Sequence, residues 1–270
     1  MFGRYINGLD YLTGANTLDV ASLGIDTSFL TVDEALLSDA YGKIHGELQI
    51  KNGTQVDGIR ADGSFGQHDG VLYNGNYGKE FINAILNVEI QAAGTQLTAN
   101  SASQNAFATL FEGNRWMIYR NAFANVLHWD FRQQSALGRF ISFPVIDNQP
   151  TANIGMNLTR IKDLGQRWSS DALINFADSL CGIGSNANAG SFVGNKMFFA
   201  NDYMVHRGSK YVSTLKMFYK RTMNTECVNT QNPFGFHLAD GVLRTYLRGD
   251  EYEDIAASWD WDLIPGTTVD

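Results

Sequence analysis

The chain has 270 residues, 44% of them hydrophobic, 12% aromatic and 18% charged, with a formal net charge of −8. That composition supports an apolar core and excludes a disordered chain, and the acidic balance argues against nucleic acid as a partner. No run of about 18 apolar residues occurs, so no membrane span is expected, and MFGRYINGLDY has neither the basic start nor the apolar stretch of a signal peptide.

TGAN (13–16) places Asn16 at the start of the first helix-like run. Thr31-Val32-Asp33-Glu34 reads as a capping box ahead of Ala35, Leu36, Leu37 and Ala40. The stretch DGSFGQHDGVLYNGNYG (62–78) reads as a turn-rich loop carrying His68, Tyr73 and Tyr77 among glycines that let the backbone approach a ligand closely. Of the two tyrosines, Tyr73 is expected to pack. From Lys79 to Ala93, Phe81, Ile82, Ile85, Leu86 and Val88 recur at helical spacing, and Gly94 can close the helix. Ser101-Ala102-Ser103-Gln104 opens another helix with Phe107, Leu110, Phe111 and later Trp116 and Tyr119. HWDFRQQSALGRFISF (128–143) offers Trp129, Arg132 and Arg139, and Ser170-Asp171 leads into Ala172, Leu173, Ile174, Phe176 and Leu180.

The texture changes after CGIGSNANAG (181–190). KYVSTLKMFYK (210–220) is rich in β-branched and aromatic residues, and turn residues around Asp240-Gly241 divide 234–238 from 242–247 as in a hairpin. Helices followed by strands predict an α+β multidomain chain. We divide it into 1–187, helical and catalytic, and 188–270, antiparallel sheet. TECVN (225–229) supplies Glu226 and Asn229 from the second half, and Cys181 and Cys227 are either one disulfide or two buried thiols. The histidines outside the loop share no metal-ligand spacing, and no cofactor is expected.

Five blocks in order carry a resemblance: TGAN, then QH (67–68) with Tyr77-Gly78 nine residues on, then GRFIS (138–142), TECVN, and WDWDLIPGTT (259–268). They resemble polysaccharide lyase family 8, the hyaluronate, chondroitin AC and xanthan lyases, over almost the whole chain. The resemblance implies a partial (α/α) toroid followed by antiparallel β-sandwich strands, in a chain shorter than its relatives at both ends. It also implies a secreted, extracellular enzyme acting on an acidic polysaccharide. We expect a monomer with no membrane partner. One departure is Phe143, where relatives carry a second arginine after GRxxS.

The implied reaction removes the C5 proton of a uronic acid and expels O4, leaving an unsaturated uronate end. Asn16 would neutralise the carboxylate as charge develops beside it. A tyrosine phenol, with an ordinary pKa of about 10, needs a nearby cation to act as a base at neutral pH, and Arg139 or a protonated His68 would supply it. Tyr77 could then serve as both base and acid. Alternatively, His68 is the base and Tyr77 only the acid. Glu226 would orient His68 or Arg139, while Asn229, Arg132 and Trp129 would bind substrate. Arg120, Arg132, Arg139, Arg207 and Arg244 are candidates for a local basic groove. The competing readings are a catalytically impaired or truncated sugar-binding relative and, less well supported, a glycoside hydrolase, which would need a matched pair of carboxylates.

Overall fold

The computed structural model describes residues 12–129, 153–190, 192–217, 219–222, 237–253, 260–264 and 266. Helix α1 (Ala15–Thr31) folds back on α2 (Glu34–Glu47) through Val32, which is left-handed. Asp33, not Thr31, caps α2, with its Oδ1 accepting the Leu36 N–H at 3.0 Å. Thr31 belongs to the last turn of α1, where its hydroxyl donates to Thr27 O, so it is spent before α2 begins. Gly24 brings the two helices close, since a Cβ there would lie 3.3 Å from that of Ala40.

A small sheet that the sequence reading did not foresee follows inside the helical half: β1 (Ile50–Lys51), β2 (Gly58–Arg60), β3 (Phe65–Gln67) and β4 (Val71–Leu72), in that order. β1 runs parallel to β2, and the other pairs are antiparallel. These strands have two or three residues, and β2 to β4 are buried throughout, so neither length nor alternation announces them. The expected glycine-rich loop is therefore two tight hairpins.

Helix α3 (Tyr77–Ala92) ends before Gly94, whose φ of +83° suits glycine. Asn100 caps α4 (Ser101–Met117) by accepting the Ser103 N–H at 3.0 Å. α4 stops short of the expected Tyr119, because β5 (Ile118–Asn121) turns back onto β6 (Val126–Trp129). Helix α5 (Leu158–Trp168), also unforeseen, packs on α6 (Asp171–Leu180), with Gly165 at the crossing.

The second half is a four-stranded antiparallel sheet of β7 (Gly194–Phe198), β8 (Tyr203–Arg207), β9 (Val212–Lys216) and β10 (Val242–Tyr246), ordered β10-β9-β8-β7. The predicted hairpin is corrected here. β10 pairs with β9, Val242 opposite Lys216, while residues 237–241 are turns and 234–236 lie outside the described residues. β8 to β10 alternate between buried and more exposed positions, and Phe198, Tyr203, Val205, Val212 and Tyr246 join one core with the helices. The chain is α+β, helices first and antiparallel sheet second. No described helix is long and apolar enough to cross a membrane.

Candidate active site

Gly14 begins the site. Its φ is +57°, and a Cβ there would lie 2.3 Å from Gln67 Oε1, so the turn before α1 accepts only glycine. The Gly14 N–H donates to Glu47 Oε2 and the Ala15 N–H to Gln67 Oε1, at 3.0 and 3.3 Å. Asn16, half-buried in the first turn of α1, is thereby tied to the strand that ends one residue before His68.

Asp57 makes the same connection from below. Its Oδ2 accepts from Thr13 Oγ1 at 2.6 Å and Gln67 Nε2 at 3.2 Å, and its Oδ1 accepts the Gly70 N–H at 3.1 Å. Three consecutive residues, His68, Asp69 and Gly70, are left-handed, with φ of +54°, +61° and +78°. This turn presents the imidazole to a ring cluster. Its centroid lies 4.9 Å from that of Tyr77 and 5.5 Å from that of Tyr73, and the two tyrosines are 5.0 Å apart, all edge-to-face. Tyr73 is fully buried, while His68 and Tyr77 are half-buried.

Tyr77 is the first residue of α3, and Gly78 behind it presses on Phe65 and the Tyr73 carbonyl, where a Cβ would lie 3.1–3.2 Å away. The starts of α1 and α3 both pack on Phe65. Asp19, one turn into α1, has its carboxyl pushed above the usual range by burial and then by Glu80 in the first turn of α3. Two helix N-termini, each a region of partial positive charge, thus lie near the His68–Tyr77 ring pair.

Two family descriptions match: "Polysaccharide lyase family 8, N terminal alpha-helical domain" over residues 7–173, and "Polysaccharide lyase family 8, super-sandwich domain" over 193–270. The chain belongs to polysaccharide lyase family 8. Chondroitinase-AC of Pedobacter heparinus is 28% identical over 260 residues, covering 95% of this chain and 35% of that protein. Xanthan lyase of Bacillus sp. (strain GL1) is 24% identical over 294 residues, covering 98% and 31%. A solved chondroitinase AC lyase, studied as oligosaccharide complexes, aligns with a TM-score of 0.74 at 27% identity, covering 95% of this chain and 36% of that one. The chain spans about a third of the length of the curated relatives it matches.

Other residues expected at this family 8 site fare differently. Arg132, Arg139, Phe143, Glu226 and Asn229 lie outside the described residues, as do Cys227 and Trp259. The chain just ahead of TECVN is nonetheless fastened to the helical half, where Thr54 Oγ1 donates to Arg221 O at 2.7 Å. Trp129 is corrected as a stacking platform: it is 0% exposed and donates its indole N–H to Ile154 O at 2.9 Å, so its faces are in the core. Three arginines of the expected groove are corrected too, because Arg120, Arg207 and Arg244 are buried. Arg120 holds Asn125 Oδ1 and Gly182 O, and burial pulls its pKa down. Arg207 donates to Trp116 O, Ile118 O, Asn188 Oδ1 and Ala189 O, riveting β8 to the end of α4. Cys181 is a free, exposed thiol, so neither alternative for it holds.

The sequence reading missed Asp57, Arg60 and Asn201, which hold the His68 turn, and gave Gln67 no role. Only the Asp57-Gly58 pair, a common turn signal, marked any of them.

Proposed function

We propose that this chain carries the catalytic cleft of a carbon–oxygen lyase that cleaves a uronic-acid-containing polysaccharide by β-elimination. One observation supports the reading above the rest: the His68 and Tyr77 rings are in edge contact, 4.9 Å apart, and Gln67, next to His68, accepts the Ala15 N–H, next to Asn16. A uronate carboxylate brought there would meet the side-chain amide of Asn16 and the positive ends of the α1 and α3 dipoles. All three favour the charge that builds as C5 loses its proton. Tyr77 takes that proton and returns it to O4 of the leaving sugar, which suits departure of both groups from one face. His68, in ring contact with Tyr77, holds the phenol in place, and Arg139 supplies the cation that favours phenolate. Glu226 orients this pair, and Asn229 and Arg132 bind sugar. In this reading residues 1–187 are part of a helical toroid, residues 188–270 are strands of a β-sandwich that close the cleft, and the protein works as an extracellular monomer.

The product decides the matter, because only elimination creates a conjugated double bond. Ultraviolet absorbance is followed on hyaluronan, chondroitin, xanthan and a glucuronan, with circular dichroism to show that the chain is folded. Absorbance should rise on at least one polymer, Tyr77→Phe should slow the rise by about 10²–10⁴-fold, and Asn16→Ala by about 10²–10³-fold. A folded chain that binds a polymer without any rise would overturn the lyase reading in favour of a sugar-binding relative.

A further inference from the structure

The left-handed turn at His68 is held from outside itself. Residues other than glycine rarely adopt positive φ, and a run of them persists only where the surroundings over-determine it. Here several constraints fall on Gly70. A Cβ at that position would lie 2.4 Å from Thr54 O and 2.7 Å from Val56 N, so its backbone is wedged in place. Its N–H goes to Asp57. Its carbonyl accepts two bonds, from Arg60 Nη2 at 2.9 Å and from Asn201 Nδ2 at 3.1 Å.

Asn201 belongs to the other half of the chain, in the turn between β7 and β8, and is 1% exposed. It is anchored there on both sides. Lys216 Nζ donates to Asn201 O at 2.8 Å, the neighbouring Ala200 N–H donates to Asp62 Oδ2 at 2.9 Å, and Asp202 holds Arg221 and Thr222. A side chain of the sheet half therefore grips the loop that carries His68, two residues from the imidazole.

We infer that Asn201, seconded by Arg60, is a positioning residue for His68, transmitting the docking of the sheet half into the geometry of the candidate active site. The inference rests on the reading of His68 and Tyr77 as the reacting pair. Asn201 touches no reacting atom. It acts by keeping the 68–70 turn in its left-handed form, and without it the backbone relaxes toward ordinary φ and swings the imidazole away from Tyr77.

The test uses the 270-residue chain with Asn201→Ala, alone and combined with Asp69→Gly. Glycine enters the left-handed region without penalty, so the second change relieves the strain that Asn201 is inferred to hold. Asn201→Ala should shift or broaden the His68 imidazole NMR signals and lower kcat roughly 10²-fold, the scale of an ångström's misplacement, with KM little changed. Asp69→Gly should restore both readouts in that background. Should Asn201→Ala fail to fold, Asn201→Ser is used in its place. Unchanged His68 signals and turnover would overturn the inference. So would a loss that Asp69→Gly does not recover, which would make Asn201 plain adhesive between the halves. If the parent chain cleaves no polymer, the lyase reading fails on its own, and the imidazole signals still decide whether Asn201 places His68.

Discussion

Lys216 shows how much a single buried group can report. It is 2% exposed, its ammonium donates to Asn201 O and Met217 O, and burial lowers its pKa to about 8, with Asp202 pulling it up and Arg60 pressing it down. The unfolded chain keeps the ordinary value of 10.5, so between these limits the unfolded state binds more protons and stability rises with pH. Below about 8 the protein bears the full cost of the buried charge, of order 3 kcal/mol. Urea unfolding across this window should show the parent chain gaining on Lys216→Met as pH increases, and parallel profiles would refute the shift. The residue was invisible in advance as a buried group. KYVSTLKMFYK reads as a strand, but nothing in it says that Lys216 points inward on the same face as Val212 and Thr214.

At the scale of elements, legibility followed pattern length. α3, α4 and α6 announce themselves through apolar residues at helical spacing, and their apolar stripes are buried as that spacing requires. α5 carries the same stripe at Ile161, Leu164, Gly165 and Trp168, but its charged residues and a glycine dilute the signal. β1 to β4 are too short to carry any period, yet they shape the site most directly. The candidate site was half legible: Asn16, His68 and Tyr77 follow from ordered motifs, while their supports do not, since an aspartate that accepts a distant N–H or an asparagine that donates to a distant carbonyl looks like any other polar residue. Gly113 gives a test at this scale. Replacing an exposed helical glycine with alanine gains up to about 1 kcal/mol. In α4, however, a Cβ at Gly113 would lie 2.0 Å from Gly63 O, backbone against backbone. Gly113→Ala should therefore destabilise by about 1–3 kcal/mol, seen as a lower midpoint in thermal unfolding. Loss of the α4 cap in Asn100→Ala should cost less, about 1 kcal/mol.

For the whole molecule, the surprise is where the positive charge went. With a net charge of −8, an acidic polymer was expected to need a groove of arginines, yet Arg207 and Arg244 are 0% exposed and Arg120 is 5% exposed. Arg207 spends its guanidinium on carbonyls at the end of α4 and in the segment between the halves, and lies over the Phe192 ring. Lysine lacks the planar fork that reaches several acceptors at once. Arg207→Lys should thus lose at least about 2 kcal/mol, and calorimetry should show the single unfolding transition broadening or splitting as the halves uncouple. A sharp, unshifted transition would mean that Arg207 does not hold the halves together.

The stacking of Tyr119 on Tyr246, centroids 4.2 Å apart and nearly parallel, sits in the same joint. It bears on how such genes can be recombined. An alignment invites crossovers in the glycine- and asparagine-rich stretch near 181–190, between the two family matches. Yet Tyr119 and Trp116 lie upstream of that point, and their partners Tyr246 and Arg207 lie downstream. A chimera of two relatives spliced there would inherit mismatched halves of one joint unless both sides of each contact travel together.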